Sequence, residues 1–220
     1  MSSPLRSFAY RHRWFYNAIT ALSGLSVGGV ERLRRLGLNS LRSKLPQGAK
    51  VLDLCCGAGE AAAAWIDAGF EVTGLDMSPK ALELAAKQQP QLRTVEGMAE
   101  NPPLESHQFD AIQLSLALHE FNANERQLVL ENCLRLLKPA GWLVLVDLHP
   151  AGPWLKLPQD LFCALFETET ATEMLQADLP KQLQKLGFGS IKQELFAAGA
   201  LQRISAQFPN TMITPIEPKN

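Results

Sequence analysis

Short, nearly all-apolar runs recur along the chain, separated by longer stretches in which apolar residues return every three or four positions. The runs over 50–55 (KVLDLC), 71–76 (EVTGLD), 92–97 (LRTVEG), 109–117 (FDAIQLSLA) and 141–149 (GWLVLVDLH) read as strands buried on both faces. Between them, 58–69 (AGEAAAAWIDAG), 78–89 (SPKALELAAKQQ) and 124–138 (NERQLVLENCLRLLK) read as helices. Ser78 caps the second of these with Pro79 at its first position, while Asn124 opens the third and Lys138 and Pro139 close it. Strand and helix alternating at this spacing predict a parallel sheet with helical crossovers.

The rhythm changes near the end. A helix over 171–186 leads through Gly187 into two β-like runs, 190–198 and 200–208, joined at Gly199, which predicts a hairpin. The expected architecture is therefore α/β, Rossmann-like: a mostly parallel seven-stranded sheet ending in an antiparallel hairpin, with helices on both faces. Residues 46–208 are expected to form this domain, 1–45 a basic, aromatic helical segment, and 209–220 a tail.

Composition adds bounds. At 220 residues, with 46% hydrophobic and 20% charged residues, the chain can bury one substantial core. No run of about 18 uncharged apolar residues appears, and the first residues lack a secretion pattern, so a cytoplasmic protein is expected. Cys55 and Cys56 are adjacent and Cys133 and Cys163 stand alone, which fits reduced, packed thiols. The stretch beginning at His119 starts like a zinc hydrolase motif, but Ala123 occupies the position of its second histidine, so no catalytic metal is expected.

Charge is uneven. Up to Lys44, eight basic residues face one acid, Glu31, a formal +7 in a chain whose net charge is −1. Tyr10, Trp14, Phe15 and Tyr16 are interleaved with those charges. Such a segment suits a helix packed on the domain, a lid over an apolar substrate or a peripheral contact with an anionic membrane. Nucleic acid ranks below these, because the remainder of the chain is acidic and the aromatics suit an apolar ring equally well.

The segment VLDLCCGAGEAAAAW places Gly57 and Gly59 between a buried strand and a helix N-terminus, where glycine lets backbone approach a ligand. Gly57, Gly59 and Ala62 satisfy GxGxxA, and Asp76 lies 19 residues after Gly57, as in a nicotinamide dinucleotide site. Asp53 favours another cofactor: a carboxylate at the end of the first strand repels a pyrophosphate, but can orient the ammonium or complement the sulfonium of S-adenosylmethionine. Asp76 can then accept hydrogen bonds from the ribose hydroxyls while Met77 lies against the adenine. Both acids also have plain structural readings, as a capping or a buried carboxylate.

VLDLCCGAGE resembles the first motif of class I methyltransferases and LRLLKPAGWLVLVD their fifth-strand motif. Within that class the chain is most similar to the ubiquinone and menaquinone biosynthesis C-methyltransferases, through WFYNAITALSGLSVGGVERLRR, the Cys-Gly-x-Gly loop and KLGFGSIKQELFAAGALQRISA. The resemblance implies S-adenosylmethionine as cofactor, S-adenosylhomocysteine as product, and a cofactor site of Asp53, Cys55, Gly57, Gly59, Asp76, Met77, Met98, Ala99 and Ser115. The chain departs from the pattern in two places. Met98 precedes Ala99 where those enzymes tend to carry an acid, and the stretch between His149 and Glu173 is shorter than their insertion.

Methyl transfer from a sulfonium is an in-line displacement, so much of its catalysis is positioning in a dry pocket. A phenol-like acceptor, with a pKa of about 10, gains from a base. His119, after the fourth strand, is the first candidate, with Glu120 to orient it; packing beside the next helix is its structural alternative. His149 is a second candidate, and with Tyr10, Trp14 and Tyr16 it is a candidate for substrate contact. The expected function is methyl transfer to a small, apolar acceptor such as a quinol or prenylated phenol, against a non-catalytic S-adenosylmethionine-binding protein or a nicotinamide-dependent oxidoreductase.

Overall fold

The computed structural model describes residues 28–153, 156, 159 and 169–210. It begins with α1 (Val30–Arg34) and α2 (Leu36–Leu41), then alternates β1 (Lys50–Leu54), α3 (Glu60–Asp67), β2 (Glu71–Asp76), α4 (Pro79–Gln88) and β3 (Arg93–Glu96). There follow β4 (Phe109–Ser115), α5 (Ala123–Leu136), β5 (Leu137–Leu148), α6 (Glu169–Leu175), α7 (Leu179–Lys185), β6 (Gly189–Phe196) and β7 (Leu201–Gln207). The strands form one seven-stranded sheet in the order β3-β2-β1-β4-β5-β7-β6. β3 through β5 are parallel, and β7 runs antiparallel to both β5 and β6. The mostly parallel sheet with a terminal hairpin is thus present.

Successive residues of a strand point to opposite faces, and β1 shows both cores in one run. Val51 joins Val72, Ala111 and Val144 under Ala62 and Trp65 of α3 and Ala85 of α4. Leu52 and Leu54 join Ile112 and Leu114 under Val129, Leu130 and Leu136 of α5, with Met174 and Leu183 from α6 and α7. α1 and α2, assigned by sequence to the segment 1–45, also belong to this body, because Leu33, Leu36, Leu38 and Leu41 are all buried. Gly37 of α2 lies so close to the Gln113 side chain that no Cβ fits between them. No helix among the described residues is long and apolar enough to cross a membrane.

Several boundaries differ from the sequence expectation. β4 ends at Ser115, two residues early, because Leu116 turns to a φ of 54°. α5 is capped by Asn122 and not by Asn124: the Asn122 side chain accepts the Asn124 and Glu125 amides, and the Glu125 carboxylate accepts the Asn122 N–H in return. Lys138 and Pro139, expected to stop that helix, are strand residues, since Leu137 is already extended. The Lys138 ammonium holds both Asp110 carboxylate oxygens at 2.8 and 2.9 Å, tying the start of β5 to β4. The helix expected over 171–186 is two helices. The Asp178 side chain accepts the Lys181 amide at 3.0 Å and Pro180 fills the first turn of α7, so a new helix starts there.

Candidate active site

β1, β2, β3 and β4 deliver their carboxyl ends to one edge of the sheet, and the loop after β1 crosses that edge. Cys55 and Gly57 have φ values of 62° and 53°, and Gly59 caps α3 at φ 80°. The Asp76 carboxylate organises the crossing: one oxygen accepts the Gly57 N–H at 2.8 Å, the other the Ser78 N–H at 2.9 Å. Each oxygen keeps a lone pair for a ligand hydroxyl. A Cβ at Gly57 would meet nothing within 4 Å, so the loop's backbone borders open space that any larger side chain would enter.

Asp53, at the end of β1, is 1% exposed. Its Oδ1 accepts from Gln113 Nε2 at 3.1 Å, and Gln113 Oε1 accepts from the Trp65 indole N–H at 2.8 Å. Its Oδ2 has no hydrogen-bond partner among the described residues. Burial pushes the carboxyl up to about 7, against the pull of the Gln113 hydrogen bond and of the Ala62 amide, which acts from outside hydrogen-bond geometry, and with a smaller push from Asp76 and Glu60. A buried oxygen without a donor costs on the order of 1–3 kcal/mol, and a cationic group at this position would supply the missing donor. The donor set therefore fits an ammonium-bearing cofactor and opposes a pyrophosphate.

The remaining cofactor candidates gather nearby. Met77 and Met98 are 69% and 54% exposed, unusual for methionine, and follow the ends of the neighbouring strands β2 and β3. Two exposed thioethers on adjacent strand ends suit the faces of a flat ring. Met98 also makes an isolated bridge with Asn101, and Ala99 beside it is buried. Ser115 ends β4 two residues beyond Gln113, the register partner of Asp53, and so stands level with Cys55. Burial first, and then the charges of Asp76 and Asp53, push the Cys55 thiol well above its usual range, so it serves as packing and not as a nucleophile.

His119 lies in a 3-10 turn, Leu118–Glu120, directly after β4. Its Nδ1 is 2.6 Å from Oδ1 of Asp147, a residue on β5 that sequence reasoning did not single out. Glu120, expected to orient the ring, stands 3.7 Å from Nε2, beyond hydrogen-bond distance, whereas Asp147 is a carboxylate within that distance of the ring. The available signal was a lone acid in the apolar run LVLVDL: a buried charge has to be paired. Gln113 carried the same signal in β4. His149 sits where β5 leaves the sheet, with Nδ1 directed at the Gly199 and Pro150 carbonyls at 2.8 and 3.0 Å. Both partners only accept, so that nitrogen donates, and the ring fastens β5 to the hairpin turn. Tyr10, Trp14 and Tyr16 lie outside the described residues.

Residues 51–141 match a family model described as a methyltransferase domain. The chain is 40% identical over 213 residues to an uncharacterized methyltransferase of a Synechocystis species, covering 96% of this chain and all of that protein. It is 36% identical over 135 residues to a demethylmenaquinone methyltransferase of Paenarthrobacter aurescens, an alignment spanning 60% of this chain and 52% of that relative. Phosphoethanolamine N-methyltransferase 2 of Haemonchus contortus, solved with S-adenosyl-L-methionine, shares the fold at a TM-score of 0.70 and 15% identity, over 94% of this chain and 60% of that one. The fold and site define an S-adenosylmethionine-dependent methyltransferase, which sets aside the nicotinamide reading. The chain belongs to the class I methyltransferases and is similar within them to the quinone methyltransferases.

Proposed function

We propose that this enzyme methylates a small, apolar phenolic acceptor such as a quinol or prenylated phenol, with His119 as the base. The observation that carries this reading is the buried His119 imidazole in the turn after β4, on the carboxyl side of the sheet, held by Asp147. Asp53 and the Gly57 backbone hold the amino-acid end of the cofactor, Asp76 the ribose, and Met77, Met98 and Ala99 the adenine, with Cys55 and Ser115 lining the space between. When bound, S-adenosylmethionine supplies a methyl group on a sulfonium, whose C–S electron pair stays with sulfur as neutral S-adenosylhomocysteine forms. His119 Nε2 takes the hydroxyl proton of the acceptor. The electron density released on the ring then attacks the methyl carbon from carbon or oxygen, and a ring carbon so alkylated returns to aromaticity by losing its hydrogen as a proton. Similarity to the Paenarthrobacter demethylmenaquinone methyltransferase supports the acceptor class.

The test is incubation with S-adenosylmethionine and a reduced, demethylated naphthoquinol carrying a prenyl tail, with products read by mass spectrometry. A singly methylated quinol is expected. Absence of product from that quinol and from simple prenylated phenols, in a protein that binds S-adenosylhomocysteine, overturns the acceptor assignment. His119→Ala should lower turnover by about 10² to 10⁴ and leave S-adenosylhomocysteine affinity nearly unchanged. Loss of both together would mark the residue as part of the scaffold.

A further inference from the structure

We infer that Asp147 is the positioning residue of this active site: its carboxylate fixes the His119 ring with hydrogen on Nδ1, so that Nε2 is the nitrogen that takes the acceptor's proton. The inference rests on the proposed role of His119.

The geometry is a closed set of donors around one carboxylate. Asp147 is 1% exposed in a central strand, flanked by β4 on one side and β7 on the other. Its Oδ2 accepts the Ala117 and Leu118 amides at 3.1 and 2.7 Å, which shapes the turn that carries His119. Its Oδ1 accepts the Leu148 amide at 2.7 Å and faces His119 Nδ1 at 2.6 Å. Three of these four partners are backbone N–H groups, which can only donate, so both oxygens act as acceptors. The ring nitrogen facing Oδ1 therefore carries a hydrogen. In a neutral imidazole the other nitrogen, Nε2, is then the acceptor. Once Nε2 takes a proton, the positive ring stands between Asp147 at 2.6 Å and Glu120 at 3.7 Å, which favours the charge it has gained. One side chain thus sets the turn, the ring plane and the tautomer.

A carboxylate that merely shaped the turn would behave differently on substitution. Asp147→Asn keeps the side-chain volume but leaves a single acceptor oxygen. If that oxygen stays on the Ala117 and Leu118 amides, the new NH₂ group faces Nδ1, which becomes an acceptor, and the hydrogen moves to Nε2. The base is then blocked in a folded protein.

The experiment uses the full chain with ¹⁵N-labelled histidine. Long-range proton–nitrogen NMR reports which ring nitrogen of His119 carries hydrogen, calorimetry reports S-adenosylhomocysteine affinity, and turnover is measured with the demethylated prenyl naphthoquinol. In the unsubstituted protein Nδ1 should carry the hydrogen; in Asp147→Asn it should move to Nε2. Turnover should fall about 10² to 10⁴-fold with KM and S-adenosylhomocysteine affinity nearly unchanged. Added to His119→Ala, Asp147→Asn should cost no further turnover, because its effect passes through that ring. A hydrogen on Nε2 in the unsubstituted protein overturns the proposal. So does a tautomer swap that leaves turnover intact, or an equal loss in the His119→Ala background. If the naphthoquinol is not methylated at all, the acceptor assignment fails, and the tautomer measurement alone decides the role of Asp147.

Discussion

Asp53 is the residue at which burial and charge conflict most openly. Its folded-state carboxyl titrates at about 7, against 3.8 for the ordinary group, chiefly because it is buried. Between those values the folded chain holds a proton that the unfolded chain has released, so this residue's contribution to stability is present at low pH and is lost as pH rises through that window. Cofactor binding should run the other way. An ammonium beside Asp53 favours the ionised form, so below pH 7 binding releases a proton, and affinity for S-adenosylhomocysteine should rise up to about tenfold per pH unit before levelling off. Calorimetry in buffers of different ionisation enthalpy measures that proton, and Asp53→Asn should flatten the profile; a slope that survives the substitution assigns the proton elsewhere. Asp53, Gly57 and Asp76 were legible in the sequence because one strand-loop-strand spacing fixes all three. Gln113 and Asp147 were not, because which buried polar residue meets which depends on strand register, Asp53 opposite Gln113, and on the path of the turn after β4.

At the level of elements, the start of α5 shows how local chemistry overrules a reasonable reading. Asn122 and Asn124 are two residues apart and either could open a helix, with Glu125 or Gln127 at the third helical position, and the reciprocal pair that forms is Asn122 with Glu125. Asn122→Ala should therefore cost about 1 kcal/mol in urea unfolding, within the 0.5–2 kcal/mol usual for caps, and Glu125→Ala a similar or smaller amount. Because the two side chains complete one motif, the double variant should lose less than the sum of the single losses; additive losses would show two independent interactions. The other end of α5 was illegible for a different reason. A lysine and proline after a helix usually mark its stop, yet here the chain passes from helix to strand at Leu137 with no loop, and Lys138 is held by Asp110 across the sheet. The paired terminal strands were legible because two β-like runs meet at one glycine, Gly199, and not through alternation, since β6 is largely exposed and β7 largely buried.

Across the whole molecule, the basic surface read from the first 44 residues divides in two. Arg34 faces Glu60 at 3.9 Å, Arg35 faces Glu31 at 2.7 Å and Asp67 at 4.0 Å, and the Lys44 ammonium lies 3.6 Å over the Trp142 ring. These three charges have partners within the domain, so a contact with an anionic membrane would draw on Arg6, Arg11 and Arg13, among Tyr10, Trp14 and Tyr16, and on Arg32 and Arg42. Each contributes about 1 kcal/mol near such a surface. The full chain should co-sediment with anionic vesicles at low salt and leave them at high salt. A chain beginning at Gly28, which keeps Leu33 through Leu41 for folding but loses Arg6, Arg11, Arg13 and the aromatics, should bind far more weakly; equal behaviour of the two would make the segment a lid or a packing helix. A second property of the molecule follows from the buried row Trp65, Gln113, Asp53, with α2 pressed on Gln113 through Gly37. The fully buried Trp65 indole is hydrogen-bonded, through one amide, to the carboxylate that a cationic ligand would ionise. A change in the charge of Asp53 should therefore shift the emission of this indole, and a shift on adding S-adenosylhomocysteine that is lost in Asp53→Asn would make Trp65 an optical gauge of whether the cofactor cleft is filled.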